Sequence, residues 1–242
     1  MKEFKFRLKV EELPKNENQM ALTGKELEKL FLKKLKERNG MCKETMWCLA
    51  RLYGQTNRLR DAVIFISKIL TLSENNEERS ECFLALGGIM EKINGYAQAA
   101  EYYREAFLLK SSNKNTWYFT NNNLGYCLNQ LQRFEEAKNY LFTAIKTDPT
   151  RSNAYKNLGL CFQGLGEYRK AAKCFITAIK VNGSDTRPMN HLKNLLQEHS
   201  ELFDEIPDLE EKVDACKKVV EHARTIQPDF NFYWNELRNK FN

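Results

Sequence analysis

The side chains able to do chemistry in this sequence are amides and aromatics far more than nucleophiles or metal ligands. His191, His199 and His222 are the only histidines, and none has a second histidine three or four residues away, where two imidazoles would share one helix face. The seven cysteines, at positions 42, 48, 82, 127, 161, 174 and 216, form no C-x-x-C pair and sit mostly within apolar helical patterns. They read as reduced core thiols rather than a disulfide framework. Neither a phosphate-cradling G-x-x-x-x-G-K-S/T, nor H-E-x-x-H, nor G-x-S-x-G occurs. The acidic stretch from Glu205 to Glu211 reads as a solvated helix start, not as paired catalytic acids. These features point away from an enzyme and imply no cofactor and no metal. What remains is hydrogen bonding. Asparagine carries both a donor and an acceptor, so a row of asparagines can bind the backbone of an extended peptide without reading its side chains. Asn123 and Asn157 stand 34 residues apart. The same amides suit a wet surface equally well, and Trp47, Phe119 and Tyr126 can either anchor an apolar ligand residue or pack against their neighbours.

The elements that position these residues repeat. The segment from Tyr118 to Arg151 is followed without a gap by residues 152–185, each 34 residues long. Both contain Asn-Leu-Gly, an aromatic nine residues after the glycine (Phe134, Tyr168), then Ala137 or Ala171, then Ala-Ile-Lys. Two weaker copies lie upstream in phase, one on Leu86, Gly87, Tyr96, Ala99, Tyr103 and Ala106, the other on Leu49, Ala50, Leu59, Ala62, Ile66 and Ile69. Each copy reads as two amphipathic helices. Gly87, Gly125 and Gly159, with Ala50 in the first copy, recur at one phase although glycine within a helix costs about 0.5–1 kcal/mol relative to alanine, so a steric need is implied. Such a hairpin cannot bury its apolar face alone, and successive copies must stack.

The pattern resembles the tetratricopeptide repeat. The resemblance implies an all-α, right-handed superhelical solenoid of about four helical hairpins, at approximately 43–76, 80–113, 118–151 and 152–185. It also implies that the first helix of each hairpin lines a concave groove. Mapped residue by residue, the candidate partner-binding positions are Trp47 and Arg51 in the first copy, Phe119, Asn122, Asn123, Tyr126 and Asn129 in the third, and Asn153, Lys156 and Asn157 in the fourth. The clamp of Lys, Asn, Asn, Lys and Arg with which some relatives hold a chaperone's C-terminal carboxylate is not reproduced. Trp47, Arg51, Ala85, Phe119 and Asn123 stand in those places. The helix-closing proline occurs only as Pro149, with Glu74, Ser111 and Gly183 elsewhere. Three extra residues, Glu77 to Arg79, follow the first copy and four, Lys114 to Trp117, follow the second. Each is close to one helical turn and can lengthen either a helix or a loop. An irregular superhelix is expected there.

Flanking the repeats, residues 1–42 form an extension with a capping helix. Thr23 and Glu26 make a capping box, Leu22 and Leu27 a hydrophobic staple, Leu27, Leu30, Phe31 and Leu35 an apolar stripe, and Asn39-Gly40 a stop. Phe4, Phe6, Leu8 and Val10 alternate with Lys5, Arg7 and Lys9, a strand period whose partner is a second copy, another protein's sheet, or nothing. Residues 186–242 supply C-terminal capping helices. Met189, Leu192, Leu196 and Leu202 mark one, with Lys193 where the repeat would need Gly or Ala. Leu209, Val213, Cys216, Val220 and Ala223 mark a second starting at Pro207. Phe230, Trp234, Leu237 and Phe241 mark a last short helix that either caps the stack or fills the groove.

The net charge of +6 is unevenly placed, with 8 basic against 12 acidic residues from position 185 onward, but the asymmetry is too mild to announce nucleic-acid binding, which needs cations clustered on one face. The longest apolar run, Ala62 to Ile66, is far below the roughly 18 residues of a membrane span, and the charged N-terminus lacks a secretory core, so a cytoplasmic location is expected. The sequence therefore reads as a protein-interaction adaptor or scaffold that holds a peptide segment of an unidentified protein partner in its groove. The alternative is an oligomeric scaffold whose groove is covered by its own tail, with RNA binding ranked below both.

Overall fold

The computed structural model describes residues 23–240, with side chains up to residue 225. The strand pattern at Phe4 to Val10 and the staple residue Leu22 lie outside the described residues, as do Phe241 and the side chains of Phe230, Trp234 and Leu237. Described residues fold into α1 (Gly24–Glu37), α2 (Lys43–Gln55), α3 (Leu59–Leu72), α4 (Asn76–Lys92), α5 (Tyr96–Leu108), α6 (Lys114–Gln130), α7 (Phe134–Thr147), α8 (Ser152–Gly164), α9 (Tyr168–Val181), α10 (Arg187–Glu198), the one-turn α11 (Leu202–Glu205) and α12 (Leu209–Lys240). No strand is present among them.

The closest packing is within the pairs α2 with α3, α4 with α5, α6 with α7 and α8 with α9. The recurring small residues cause it. A Cβ added to Gly87 would lie 2.4 Å from the Tyr103 ring, one on Gly125 would lie 2.5 Å from Leu141 Cγ, and one on Gly159 would lie 2.5 Å from Phe175 Cε1. Each bulky partner stands on the second helix of the same pair. Ala62, Ala99, Ala137 and Ala171 answer from that second helix, and all are fully buried.

Pairs then stack in order, α3 on α4, α5 on α6, α7 on α8 and α9 on α10. Among the first helices, α4 touches α6 and α6 touches α8, whereas second helices make far less contact with one another. That asymmetry puts α4, α6 and α8 on the inner curve of a solenoid. The core is accordingly a line. One buried cluster runs from Phe31 to Ile89, another from Ala99 to Val220, and Met90 packs against both.

Both inserted turns lengthen helices and not loops. α4 and α6 have 17 residues each against 13 in α2 and α8, and the extra turn is at the N-terminal end, capped by Asn75 and Asn113. Glu77 in the first insert accepts from the Ser111 hydroxyl (2.5 Å) and the Ser112 amide (3.0 Å), tying α4 to the turn before α6. α2 packs on α1 and α3 and packs on α4 less closely than α4 packs on α6, so the inner curve is irregular at that end.

At the N-terminal end the capping box is present, with Thr23 N donating to Glu26 Oε2 (2.7 Å) and Glu26 N to Thr23 Oγ1 (3.4 Å). Asn39 and Gly40 stop α1 with positive φ. The C-terminal end departs from the sequence expectation in three ways. Leu202 belongs to α11 and not to α10, the following helix starts at Leu209 and not at Pro207, and it continues unbroken to Lys240, so the two helices expected there are one. It runs through Pro228. α12 packs on α9 through Cys216, Val219 and Val220. The contact depends on Gly183, where a Cβ would lie 2.6 Å from Val219 Cγ1 and 2.8 Å from its carbonyl oxygen.

Candidate binding groove

The inner curve places most of the sequence-selected residues together but uses several of them internally. Asn157 Nδ2 on α8 donates to Asn122 Oδ1 on α6 (3.0 Å), Asn122 Nδ2 to Asn123 Oδ1 (2.9 Å), Asn123 Nδ2 to Tyr103 OH on α5 (3.4 Å), and Tyr103 OH to Glu91 Oε1 on α4 (2.5 Å). This is a one-way chain of donors ending on a carboxylate, and it crosses three helix pairs. Asn129 Nδ2 adds a bond to the backbone oxygen of Asn157 (2.8 Å). Asn122, Asn129, Lys156 and Asn157 are only 5%, 7%, 7% and 3% exposed. The expectation of a free amide row is corrected here. α6 and α8 approach closely enough for Asn157 to donate to Asn122, which buries both amides, while Asn157 Oδ1 has no hydrogen-bond partner among the described residues.

Glu91 terminates the chain under electrostatic strain. Burial pushes its carboxyl above the ordinary range, while bonds from Tyr103 and Cys127 and the charge of Lys156 pull the other way. Burial likewise raises the Tyr103 phenol.

Facing the solvent above this floor are Asn123, Tyr126 and Asn153, all half-buried. Tyr126 meets Tyr96 edge to face at 6.0 Å, and Lys156 Nζ stands 5.7 Å from the Tyr126 ring centre. Asn153 accepts from Arg187 Nη2 (3.3 Å). Phe119 stands apart from this group, covered by the Arg151 guanidinium 4.9 Å above its ring. Trp47 and Arg51 are half-buried on α2, which reaches α4 through Lys43 to Glu78 (2.7 Å) and Lys92 to the Gly54 carbonyl (2.7 Å), and neither is part of the chain from Asn157 to Glu91.

Four contributors were missed by the repeat mapping: Tyr96, Tyr103, Arg187 and His191. Arg187 is 34 residues beyond Asn153 and His191 is 34 beyond Asn157. The same phase continued one step further would have found both, even though Lys193 breaks the small-residue rule.

Family models for the tetratricopeptide repeat match residues 120–151 and 152–185. Over these residues the chain carries tetratricopeptide repeats. The tetratricopeptide-repeat models do not reach the two upstream pairs. Solved structures extend the likeness of fold over most of the chain. BtubC (BKLC) from P. vanneervenii is 18% identical, with 86% of this chain and 89% of that chain covered, at a TM-score of 0.62. YrrB, described as a TPR protein with an unusual peptide-binding site, is 19% identical over 81% of this chain and 97% of its own, at 0.58. MamA from Desulfovibrio magneticus RS-1 is 13% identical over 77% and 96%, at 0.56. No curated protein matches in sequence. No described helix is long and apolar enough to cross a membrane.

Proposed function

We propose that this protein is an adaptor that holds an extended peptide segment of a partner protein on its inner curve. In this reading residues 43–76, 80–113, 118–151 and 152–185 are its four repeats, with residues 1–42 and 186–242 as flanking caps. The observation that carries it is the donor chain from Asn157 to Glu91. It locks α4, α5, α6 and α8 into one surface before any ligand arrives, which lowers the ordering cost of binding. Above it, Asn123 and Asn153 offer amides to a peptide backbone and Tyr126 offers a ring to a side chain. The peptide-binding site named for YrrB supports the same use of the fold. The seven cysteines form no disulfide and six of them are buried, which supports residence in a reducing compartment such as the cytoplasm. Burial raises the Cys82 and Cys161 thiols to about 12 and about 11, which supports packing and not catalysis.

The full chain is immobilised and panned against a displayed library of random peptides. Enriched peptides are expected to bind the wild type and to lose about tenfold or more in affinity in Asn123→Ala/Tyr126→Ala. They should be unaffected by Leu108→Ser, on the exposed side of α5. No enrichment, or sensitivity to Leu108→Ser alone, sinks the proposal.

A further inference from the structure

The surface where α8 and α10 meet, beside Tyr126 of α6, presents side-chain donors from α10. Arg187, the first residue of α10, is fixed by Asp185, which accepts from Nε (2.8 Å) and Nη2 (2.8 Å). Nη2 also reaches Asn153, while Nη1 has no partner among the described residues. His191, one turn further along α10, stacks on Phe175 at 5.5 Å, and neither of its ring nitrogens has a hydrogen-bond partner among the described residues. Lys156 stands over Tyr126 beside them. We infer that this surface receives the carboxylate of an internal acidic residue of the bound peptide, with Arg187 and His191 on the helix after the last repeat supplying its donors. The inference rests on the peptide-binding reading above and names the ligand chemistry at one end of that groove.

Charge and geometry argue together. The charged and titratable groups around His191 are Lys156 on α8, Arg187 on α10 and Asp185 in the preceding turn, with Tyr126 on α6 and Glu91 on α4 beyond Lys156. His191 is held below its ordinary value by burial first and then by Lys156 and Arg187, with only Asp185 opposing. Lys156 and Arg187 both disfavour a proton on His191, and an arriving carboxylate would offset them. Arginine already held by one carboxylate keeps its remaining edge presented at a fixed angle, which suits a second carboxylate. The acidic group is placed in mid-peptide because Asn123 and Asn153 lie one helical turn from Tyr126 and from Lys156. A chain running past its acidic residue meets these amides with its backbone.

The test uses the full chain and a synthetic array of short peptides anchored through their C-termini, so that no terminal carboxylate is free. The wild type is expected to select Asp or Glu at one position, and exchanging that residue for Asn or Gln in the best amidated peptide should weaken binding about tenfold. Arg187→Glu should reverse the preference toward Lys or Arg at that position, and Arg187→Gln should erase it, with thermal melts confirming that both fold. In the NMR titration of His191, binding should raise its pKa, a change that a purely structural histidine would not show. Binders that are sensitive to Asn123→Ala/Tyr126→Ala but show no acidic position overturn this inference alone. So does binding that requires a free C-terminus. An array on which nothing binds overturns this inference and the peptide-binding reading together.

Discussion

Replacing Gly159 by alanine sets two effects of opposite sign against each other. Residue 159 lies within α8, where alanine is favoured over glycine by about 0.5–1 kcal/mol through backbone entropy. Against this, the new Cβ would lie 2.5, 2.7 and 3.0 Å from three ring atoms of Phe175. Phe175 is fully buried, so it has no free volume into which to turn. Overpacking of such a site costs about 1–3 kcal/mol, and two ring atoms inside 3 Å place it toward the upper end. A net loss of about 1–2 kcal/mol is expected, a drop of roughly 2–8 °C in Tm for a chain of this size. Gly54 supplies the control. It is helical in α2, and a Cβ there would meet nothing within 4 Å, so Gly54→Ala should stabilise by up to about 1 kcal/mol. Urea denaturation of both variants measures the difference. In a Phe175→Ala background the Gly159→Ala change should become favourable, giving a coupling energy of about 2 kcal/mol. If Gly159→Ala stabilises the wild type as Gly54→Ala does, the close-approach argument for the hairpin is wrong.

Three further outcomes are expected. Asn122→Leu leaves the buried Asn157 Nδ2 without its acceptor and should cost about 1–3 kcal/mol in urea denaturation, part of which Asn122→Leu/Asn157→Leu should recover. Glu91 has a folded-state pKa above its ordinary 4.5, so the folded chain holds that proton more tightly than the unfolded chain does. Its contribution is fully present below about 4.5 and is lost as pH rises through the raised value. Glu91→Gln keeps an acceptor for Tyr103, so its stability relative to wild type should grow across that window, and a wild type that gains on the variant with rising pH would contradict this. Gly183→Ala should push α12 off α9, seen as faster hydrogen exchange over 209–225 with α6 and α8 unchanged, and equal exchange would mean that Gly183 does not set the contact.

The groove was only partly legible because the sequence phase fixes which side of a helix a residue occupies but not how far away the next helix stands. Asn122, Asn123 and Asn157 all map to the inner curve, yet only Asn123 remains half-exposed, since the α6 to α8 distance lets the other two pair. Trp47 and Arg51 occupy equivalent phases on α2, but α2 packs on α4 less closely than α4 packs on α6, and no amide chain joins those two helices. Arg187 and His191 were missed for a different reason. Lys193 breaks the small-residue rule, and that rule governs the approach of a second helix, which α10 does not need because it closes the stack on α9.

By itself the sequence determined the helical pairs, their small-to-large contacts and the capped start at Thr23, because each depends on spacings within one 34-residue unit or one helix turn. Tertiary structure decided the rest. The direction taken by the inserted turns, the fusion of the last two helices into α12, the use of Gly183 as its seat and the donor chain ending on Glu91 all depend on distances between separate units, and no local period encodes those distances.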